Sequence, residues 1–204
     1  KRHGAAGGKG YFLASSEKDY LKKRNILVKQ GLIKGDQDLY IQEYVMGVLA
    51  YLQYFYSPLN ETLEFFGVDK RHESDIEGLA RIPAQQQLGM DYISSFNVIG
   101  NSPMVLRESL LDEVYQIGER FVKASKRLVK PGMNRPFCIE GVYDQDGKFW
   151  SFEFSARIVA GTNIYMEGSP YSTLLYDTPM SMGRRIAREI KLASKSKKIE
   201  KITT

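Results

Sequence analysis

Residues 137–158, FCIEGVYDQDGKFWSFEFSARI, decide how this chain is read. Asp146-Gly147 near the middle is a strong signal for a two-residue hairpin loop. If those two residues form the loop, Gln145 pairs with Lys148, and counting outward sets Glu140 directly across from Glu153. Side chains alternate along a strand, so Glu140, Ser151, Glu153, Ser155 and Arg157 share one face. Phe137, Ile139, Tyr143, Trp150, Phe152, Phe154, Ala156 and Ile158 share the other, which is a core face. A three-residue loop would break this match.

Two carboxylates directly opposed on paired strands repel, at a cost of about tenths to 1 kcal/mol when solvated. Enclosed, they cannot both stay ionised without a counter-cation. A hard divalent cation bridging both carboxylates and phosphate oxygens removes the conflict, as Mg²⁺ does in nucleotide sites. Arg157 would sit beside the pair and could hold a phosphate or carboxylate. The competing reading is a solvated polar face on which Arg157 merely relieves the acidic pair.

Working outward, Leu110, Val114, Ile117, Phe121 and Leu128 recur at helical spacing, and Pro131-Gly132 stops that helix. Residues 39–45, 49–56 and 62–68 read as strands, as do residues 11–14. Ser15 or Ser16 would cap a helix over residues 17–30, and a final helix runs from about residue 181 to 195. Residues 70–103 show little periodicity and read as a long functional connection, and residues 160–181 form a loop rich in Gly, Ser, Pro and Tyr. The mixture is α+β with a mostly antiparallel sheet.

The chain has 204 residues, 43% hydrophobic and 26% charged, which excludes disordered, collagen-like and coiled-coil classes. No apolar run approaches the roughly 20 residues of a spanning helix, so no membrane partner is expected. Cys138 is the lone cysteine, so no internal disulfide can form and a reducing cytoplasm is the default compartment. On a strand beside core residues, it reads as a buried inert thiol. The formal charge of +5 suits anionic ligands such as nucleotides, but aromatic residues that alternate within strands argue against nucleic acid. Much of the excess lies in Arg184, Arg185, Arg188, Lys191, Lys195, Lys197, Lys198 and Lys201, which read as a solvated helix face. His3 and His72 have no partners at metal-ligand spacing, which argues against zinc.

The N-terminal GAAGGKG, residues 4–10, can cradle phosphate with its backbone N–H groups, Lys9 or Lys1 adding charge. It is neither a Walker A loop nor a Rossmann fingerprint. A glycine loop between strands can act instead as a flap over a triphosphate, and a flexible surface loop is the bland alternative.

These pieces in order, the glycine flap, IQEYVMG at 41–47 and the hairpin ending FEFSAR at 157, resemble the ATP-grasp superfamily. Further segments, DKRHES at 69–74, ARIPAQQQL at 80–88, VIGNSPMVLRESLL at 98–111, GSPYS at 168–172 and SMGRRIAREIKLA at 181–193, narrow the resemblance. The chain is similar over nearly its whole length to the formate-dependent 5-formaminoimidazole-4-carboxamide ribonucleotide (FAICAR) synthetase family. The resemblance implies an α+β ATP-grasp fold, with residues 1–45 as the remainder of a small lobe carrying the flap and 46–204 as the C-terminal lobe. It implies ligation of formate to the amine of 5-aminoimidazole-4-carboxamide ribonucleotide (AICAR), with ATP as co-substrate and Mg²⁺, or Mn²⁺ in its place, as cofactor.

By the same resemblance, Glu140 and Glu153 hold the metal. Lys1, Gly7, Gly8, Lys9 and Gly10 contact ATP phosphates, Glu43, Tyr44 and Val45 line adenine, and Glu73 is a further ATP contact. Asn101 contacts AICAR, while Arg157, Thr162 and Asn163 serve the reacting end. Family members carry a substrate-binding region ahead of the flap, and this sequence has no initiator Met and opens directly on the glycines. The alternatives are a ligase for another acid and amine, or a non-catalytic nucleotide-binding relative. A homo-oligomer is expected, with Tyr51, Tyr54 and Tyr56 and the 164–176 loop as an interface.

Overall fold

The run VLAYLQYFYS, Val48–Ser57, is apolar and aromatic on both alternating faces, the pattern of a strand covered on both sides. This strand, β1, is the centre of a five-stranded sheet in the computed structural model, which describes residues 1, 12–87 and 97–203. The expectations placed on Gly7, Gly8, Lys9 and Gly10 fall outside those residues. The other strands are β2 (Thr62–Glu73), β3 (Val98–Met104), β4 (Arg135–Tyr143) and β5 (Phe149–Ser155), in the spatial order β3-β2-β1-β4-β5. The pairs β1–β2, β1–β4 and β4–β5 are antiparallel. The helices are α1 (Glu17–Lys29), α2 (Ser74–Leu79), α3 (Ala84–Gln87), α4 (Leu111–Leu128) and α5 (Met182–Lys195). Among the described residues no helix is long and apolar enough to cross a membrane.

The chain forms two compact units: Lys1–Val45 with His72–Gly100, and Met46–Arg71 with Asn101–Thr204. In the first, Ser16 rather than Ser15 caps α1, its hydroxyl accepting from the Asp19 N–H at 3.2 Å. Tyr20 and Arg24 both donate to Asp36, at 2.6 and 2.8 Å. The strands expected at 11–14 and 39–45 are corrected. Residues 12–14 form none, with Phe12 stacked on Tyr20 instead. Tyr40 pairs its backbone with Lys1, but residues 40–46 form no strand, and Ile41, Tyr44 and Met46 stay exposed. Their alternation belongs to no buried face.

In the second unit the sheet is covered on both sides. On one, Val114 and Val122 of α4 pack on Leu52, Tyr54, Phe65, Phe137 and Ile139. The expected stripe along α4 holds except at Leu128, which is exposed beyond the sheet. On the other side Phe55 and Phe66 meet Met180 and Met182, at the start of α5. Tyr51, Tyr54 and Tyr56 are all buried inside this unit, so they do not form the subunit surface expected of them.

Arg185 is a second correction, because it is 2% exposed rather than solvated. Its guanidinium donates to Glu64 at 2.9 Å through both Nε and Nη2 and to Glu189 at 2.7 Å, and it stacks on Phe55. Glu189 accepts in turn from Ser57 at 2.7 Å, so every charge in this buried group is paired.

The hairpin reaches its expected end by an unexpected route. Asp144 organises a wider turn than a two-residue loop: its Oδ1 accepts from the N–H groups of Asp146 and Lys148, at 3.0 and 2.9 Å. Trp150 Nε1 donates to its Oδ2 at 2.7 Å. The register therefore begins as Tyr143↔Phe149, one residue off the expected pairing. A bulge at Phe152 then inserts one residue on β5, and Glu140 pairs with Glu153 after all. The bulge also changes the faces. Trp150, opposite Val142, moves to the Glu140 side, Ser151 moves opposite Gly141, and Phe152 packs on Tyr51, Cys138 and Val159.

Candidate functional site

The register places Asp69, Tyr51, Glu140 and Glu153 in one row across β2, β1, β4 and β5. The next row is Gly67, Gln53, Cys138 and Ser155. Directly paired residues share a face, so these side chains project together from the side of the sheet that carries α5. Diagonal bonds join the rows. Gln53 Nε2 donates to Asp69 Oδ1 at 2.6 Å, and Ser155 Oγ donates to Glu140 Oε1 at 3.1 Å.

Glu140 is 5% exposed and needs a cation beside it. Arg71, not Arg157, supplies one. Its Nη1 and Nη2 reach Glu140 Oε2 and Oε1 at 3.2 and 3.3 Å, while the guanidinium lies 3.7 Å above the Tyr51 ring. Burial opposes the Arg71 charge, but the Glu140 carboxylate, with Tyr51, Cys138 and Asp69 behind it, outweighs burial and shifts its pKa upward. Burial, with Glu140 and Asp69 nearby, pushes the Cys138 thiol well up, which makes it the inert buried thiol expected. Glu153 is half-buried opposite Glu140.

Asp69 is fully buried. Besides Gln53 it accepts from Asn101 Nδ2 at 2.7 Å. Burial pushes its carboxyl up, against the pull of these two amides and Arg71. Gly161 presses on the same carboxylate so closely that a Cβ there would lie 2.1 Å from Oδ1. A second close approach is at Gly67, φ 151°, where the Tyr165 ring occupies the space of a side chain and its hydroxyl donates to the Val68 carbonyl.

Of the residues expected at the reacting end, Arg157 lies past β5, exposed, and donates to the Ile158 carbonyl at 2.9 Å, so it does not share the Glu140 face. The end of β5 at Ser155 is the reason, since the chain bends at residues 156–157 and the alternation on which that expectation rested stops there. Thr162 is buried, its hydroxyl donating to the Val159 carbonyl at 2.7 Å, and Asn163 is exposed. In the other unit, Glu43 and Tyr44 are exposed, Val45 and Lys1 are half-buried, and Glu73 ends β2, half-buried.

A family model described as a domain of unknown function, DUF1297, matches residues 19–204. The chain belongs to that family. It is 68% identical over all 204 residues to a protein of Nitrosopumilus maritimus named 5-formaminoimidazole-4-carboxamide-1-(beta)-D-ribofuranosyl 5'-monophosphate synthetase. Proteins with the same name are 69% identical in Cenarchaeum symbiosum and 50% identical in Pyrococcus horikoshii. The chain spans about 60% of the length of these relatives. They are the synthetases that its motifs resemble. Among solved structures, the IMP biosynthesis protein PurP from Thermococcus kodakaraensis superposes with a TM-score of 0.66 at 36% identity, over 78% of this chain and 50% of that one. The fold of this DUF1297 chain is accordingly the α+β ATP-grasp fold that the resemblance implied.

Sequence reasoning missed Asp69, Gln53, Tyr51 and Arg71. It ended the second strand of the sheet at Val68, whereas β2 runs on to Glu73. The signal was there in Gly67-Val68-Asp69-Lys70-Arg71, whose alternate residues continue the strand and carry opposite charges. In donor chemistry the pair Glu140 and Glu153 suits Mg²⁺, a hard cation that takes one or two carboxylates and fills its remaining positions with water and phosphate. Among the described residues no group of three or more His, Cys, Asp or Glu comes together as a metal cage.

Proposed function

We propose that this chain is part of a cytoplasmic ligase that uses ATP and formate to formylate AICAR, giving FAICAR, ADP and phosphate in IMP biosynthesis. The observation that carries the reading is the opposed Glu140–Glu153 pair with Arg71 beside it, in a chain 68% identical throughout to a synthetase of that name. A formate oxygen attacks the γ-phosphorus of ATP, the bond to ADP breaks, and formyl phosphate results. The AICAR amine then attacks the formyl carbon, phosphate leaves, and the nitrogen gives up a proton. Both steps are governed by positioning and by stabilising charge on phosphoryl oxygens.

Glu140 and Glu153 would hold Mg²⁺, or Mn²⁺ in its place, which when bound neutralises phosphate charge. Arg71, which reaches Glu140, would steady a transferring phosphoryl group, and the exposed Arg157 can reach anions from the end of β5. Glu43, Tyr44, Val45, Glu73 and Lys1, with Gly7, Gly8, Lys9 and Gly10, serve the nucleotide. Asn101 serves AICAR, and its contact with Asp69 fixes which way its amide faces. An ionised carboxylate only accepts hydrogen bonds, so Nδ2 is committed inward and Oδ1 is left for an N–H donor such as an amine or carboxamide. Thr162 and Asn163 serve the reacting end, Thr162 held by its bond to the Val159 carbonyl and Asn163 exposed at the surface.

The test is ADP release by the complete protein with Mg-ATP, formate and AICAR, each omitted in turn. Release that needs all three is expected. Release that ignores formate or AICAR would refute the reading.

A further inference from the structure

Asp69 is a fully buried carboxylate held from three directions. Gln53 Nε2 donates to Oδ1 at 2.6 Å, Asn101 Nδ2 donates to Oδ2 at 2.7 Å, and Gly161 leaves no room for even a methyl group against the carboxylate. Gln53 is buried as deeply as Asp69, whereas Asn101 is half-buried. One oxygen is thus occupied from inside the fold, Gly161 blocks displacement, and the other oxygen stays turned to Asn101. A carboxylate with an N–H on each oxygen can only accept. Turning the Asn101 amide over would set its Oδ1 against Oδ2 of Asp69, two acceptors with no proton between them in a place closed to solvent. The polarity of the half-buried amide is therefore set by the sheet and not by whatever binds to it. The strand order locates what that amide can address. Asn101 is on β3 and Glu140 on β4, three inter-strand spacings apart, or about 14 Å. The attacking amine belongs near the acid pair, so Asn101 meets a part of AICAR that does not react, and the remaining N–H donor on its base is the carboxamide.

Resting on the AICAR reading above, we infer that Asp69 is a specificity-determining positioning residue: by holding Asn101 with its oxygen toward the substrate, it makes the site take a carboxamide and reject a carboxylate in its place. A carboxylate has no proton to give that oxygen, and it would face an acceptor with the Asp69 charge behind it. Asp69 need not touch the substrate to act in this way. A buried aspartate of purely structural role would change the binding of both groups alike.

Isothermal titration calorimetry on the complete protein compares AICAR with its analogue bearing a carboxylate in place of the carboxamide. Wild type is expected to prefer AICAR by about a hundredfold or more, the effect of setting an anion against an unpaired acceptor. Asp69→Asn has nearly the same shape and frees the Asn101 amide to turn, so the preference should shrink below about tenfold through tighter binding of the carboxylate. Adding Asn101→Asp to Asp69→Asn returns an acceptor-only group to position 101 and should restore the preference. Asn101→Ala, at a half-buried position, keeps the test open should Asp69→Asn fold poorly. It should weaken AICAR about tenfold and leave the carboxylate no weaker. Binding of both ligands by wild type within about tenfold overturns the inference. So does an undiminished preference in Asp69→Asn, no restoration in the double variant, or equal losses in Asn101→Ala, and in each case AICAR-dependent ADP release leaves the ligase reading standing. No AICAR binding by wild type, together with no AICAR-dependent ADP release, overturns both.

Discussion

Gly161→Ala tests whether the buried carboxylate of Asp69 is as tightly enclosed as its surroundings indicate. A methyl group at Gly161 would stand 2.1 Å from Oδ1, 2.3 Å from Cγ and 2.5 Å from Oδ2, so the whole carboxylate must move. The φ of Gly161 lies outside the left-handed range, which leaves the clash as the sole penalty. Moving Asp69 stretches two bonds of 2.6 and 2.7 Å, from Gln53 and Asn101, and no solvent replaces them because Asp69 is fully buried. Hydrogen bonds to a charged group contribute about 1.5–3 kcal/mol each and overpacking costs about 1–3 kcal/mol, so a loss of about 3 kcal/mol or more is expected. For a chain of this length that is a fall in Tm of about 6–12 °C. Urea denaturation gives the free energy, with Gly183→Ala as control: at the start of α5 its nearest neighbour is 3.9 Å away, and it should stabilise by about 0.5–1 kcal/mol. In an Asp69→Ala background the cost of Gly161→Ala should drop below about 1 kcal/mol, since the two act through one contact. A cost under about 1 kcal/mol in the wild-type background, or one unchanged by Asp69→Ala, would refute the reasoning.

Arg185→Ala strands Glu64 and Glu189 in the interior and should cost about 3–5 kcal/mol in the same assay, whereas Arg184→Ala, whose 3.5 Å pair with Glu167 is exposed, should cost about 1 kcal/mol or less. Among the described residues Tyr143 Oη is buried without a hydrogen-bond partner, so Tyr143→Phe should be neutral or stabilise by about 1 kcal/mol, and a clear loss in urea would contradict that account. The bond from Trp150, then the Lys148 N–H, holds the Asp144 carboxyl below its ordinary value. A carboxyl depressed in the folded state contributes stability above its unfolded pKa and loses it as pH falls through the folded one. Emission from the single tryptophan should therefore titrate with a midpoint below about 3.9, and the transition should vanish in Asp144→Asn. A midpoint at or above 3.9 would count against the bond.

Local patterns were legible in the sequence wherever the partner was near in the chain. The α4 stripe, the Ser16 cap and the pairing of β4 with β5 all rest on contacts within a few residues or across one turn. Glu140 opposite Glu153 was reached through two offsetting displacements, a turn widened by the Asp144 side chain and a bulge at Phe152, neither of which Asp146-Gly147 announces. What stayed hidden depends on distant partners. Arg185 looks like one more lysine-face residue until Glu64, 121 positions away, arrives beside it, although Glu189 at i+4 was a clue. Arg71 and Glu140 are 69 positions apart, and only the strand order brings them together. Residues 40–46 show the converse, a strand-like pattern that forms no strand among the described residues and leaves Ile41, Tyr44 and Met46 exposed.

The bulge at Phe152 divides the hairpin into two registers that answer to different constraints. From Phe152 toward the base, pairing is pinned by the β1 ladder, which fixes Glu140 and through it Glu153. Toward the tip, residues 144–148 need only return Phe149 opposite Tyr143. Length and sequence can therefore drift at the tip without a ripple reaching the carboxylates. A peptide grafted between Asp146 and Gly147 would ride on the protein as a passenger, and natural descendants are free to grow an appendage there.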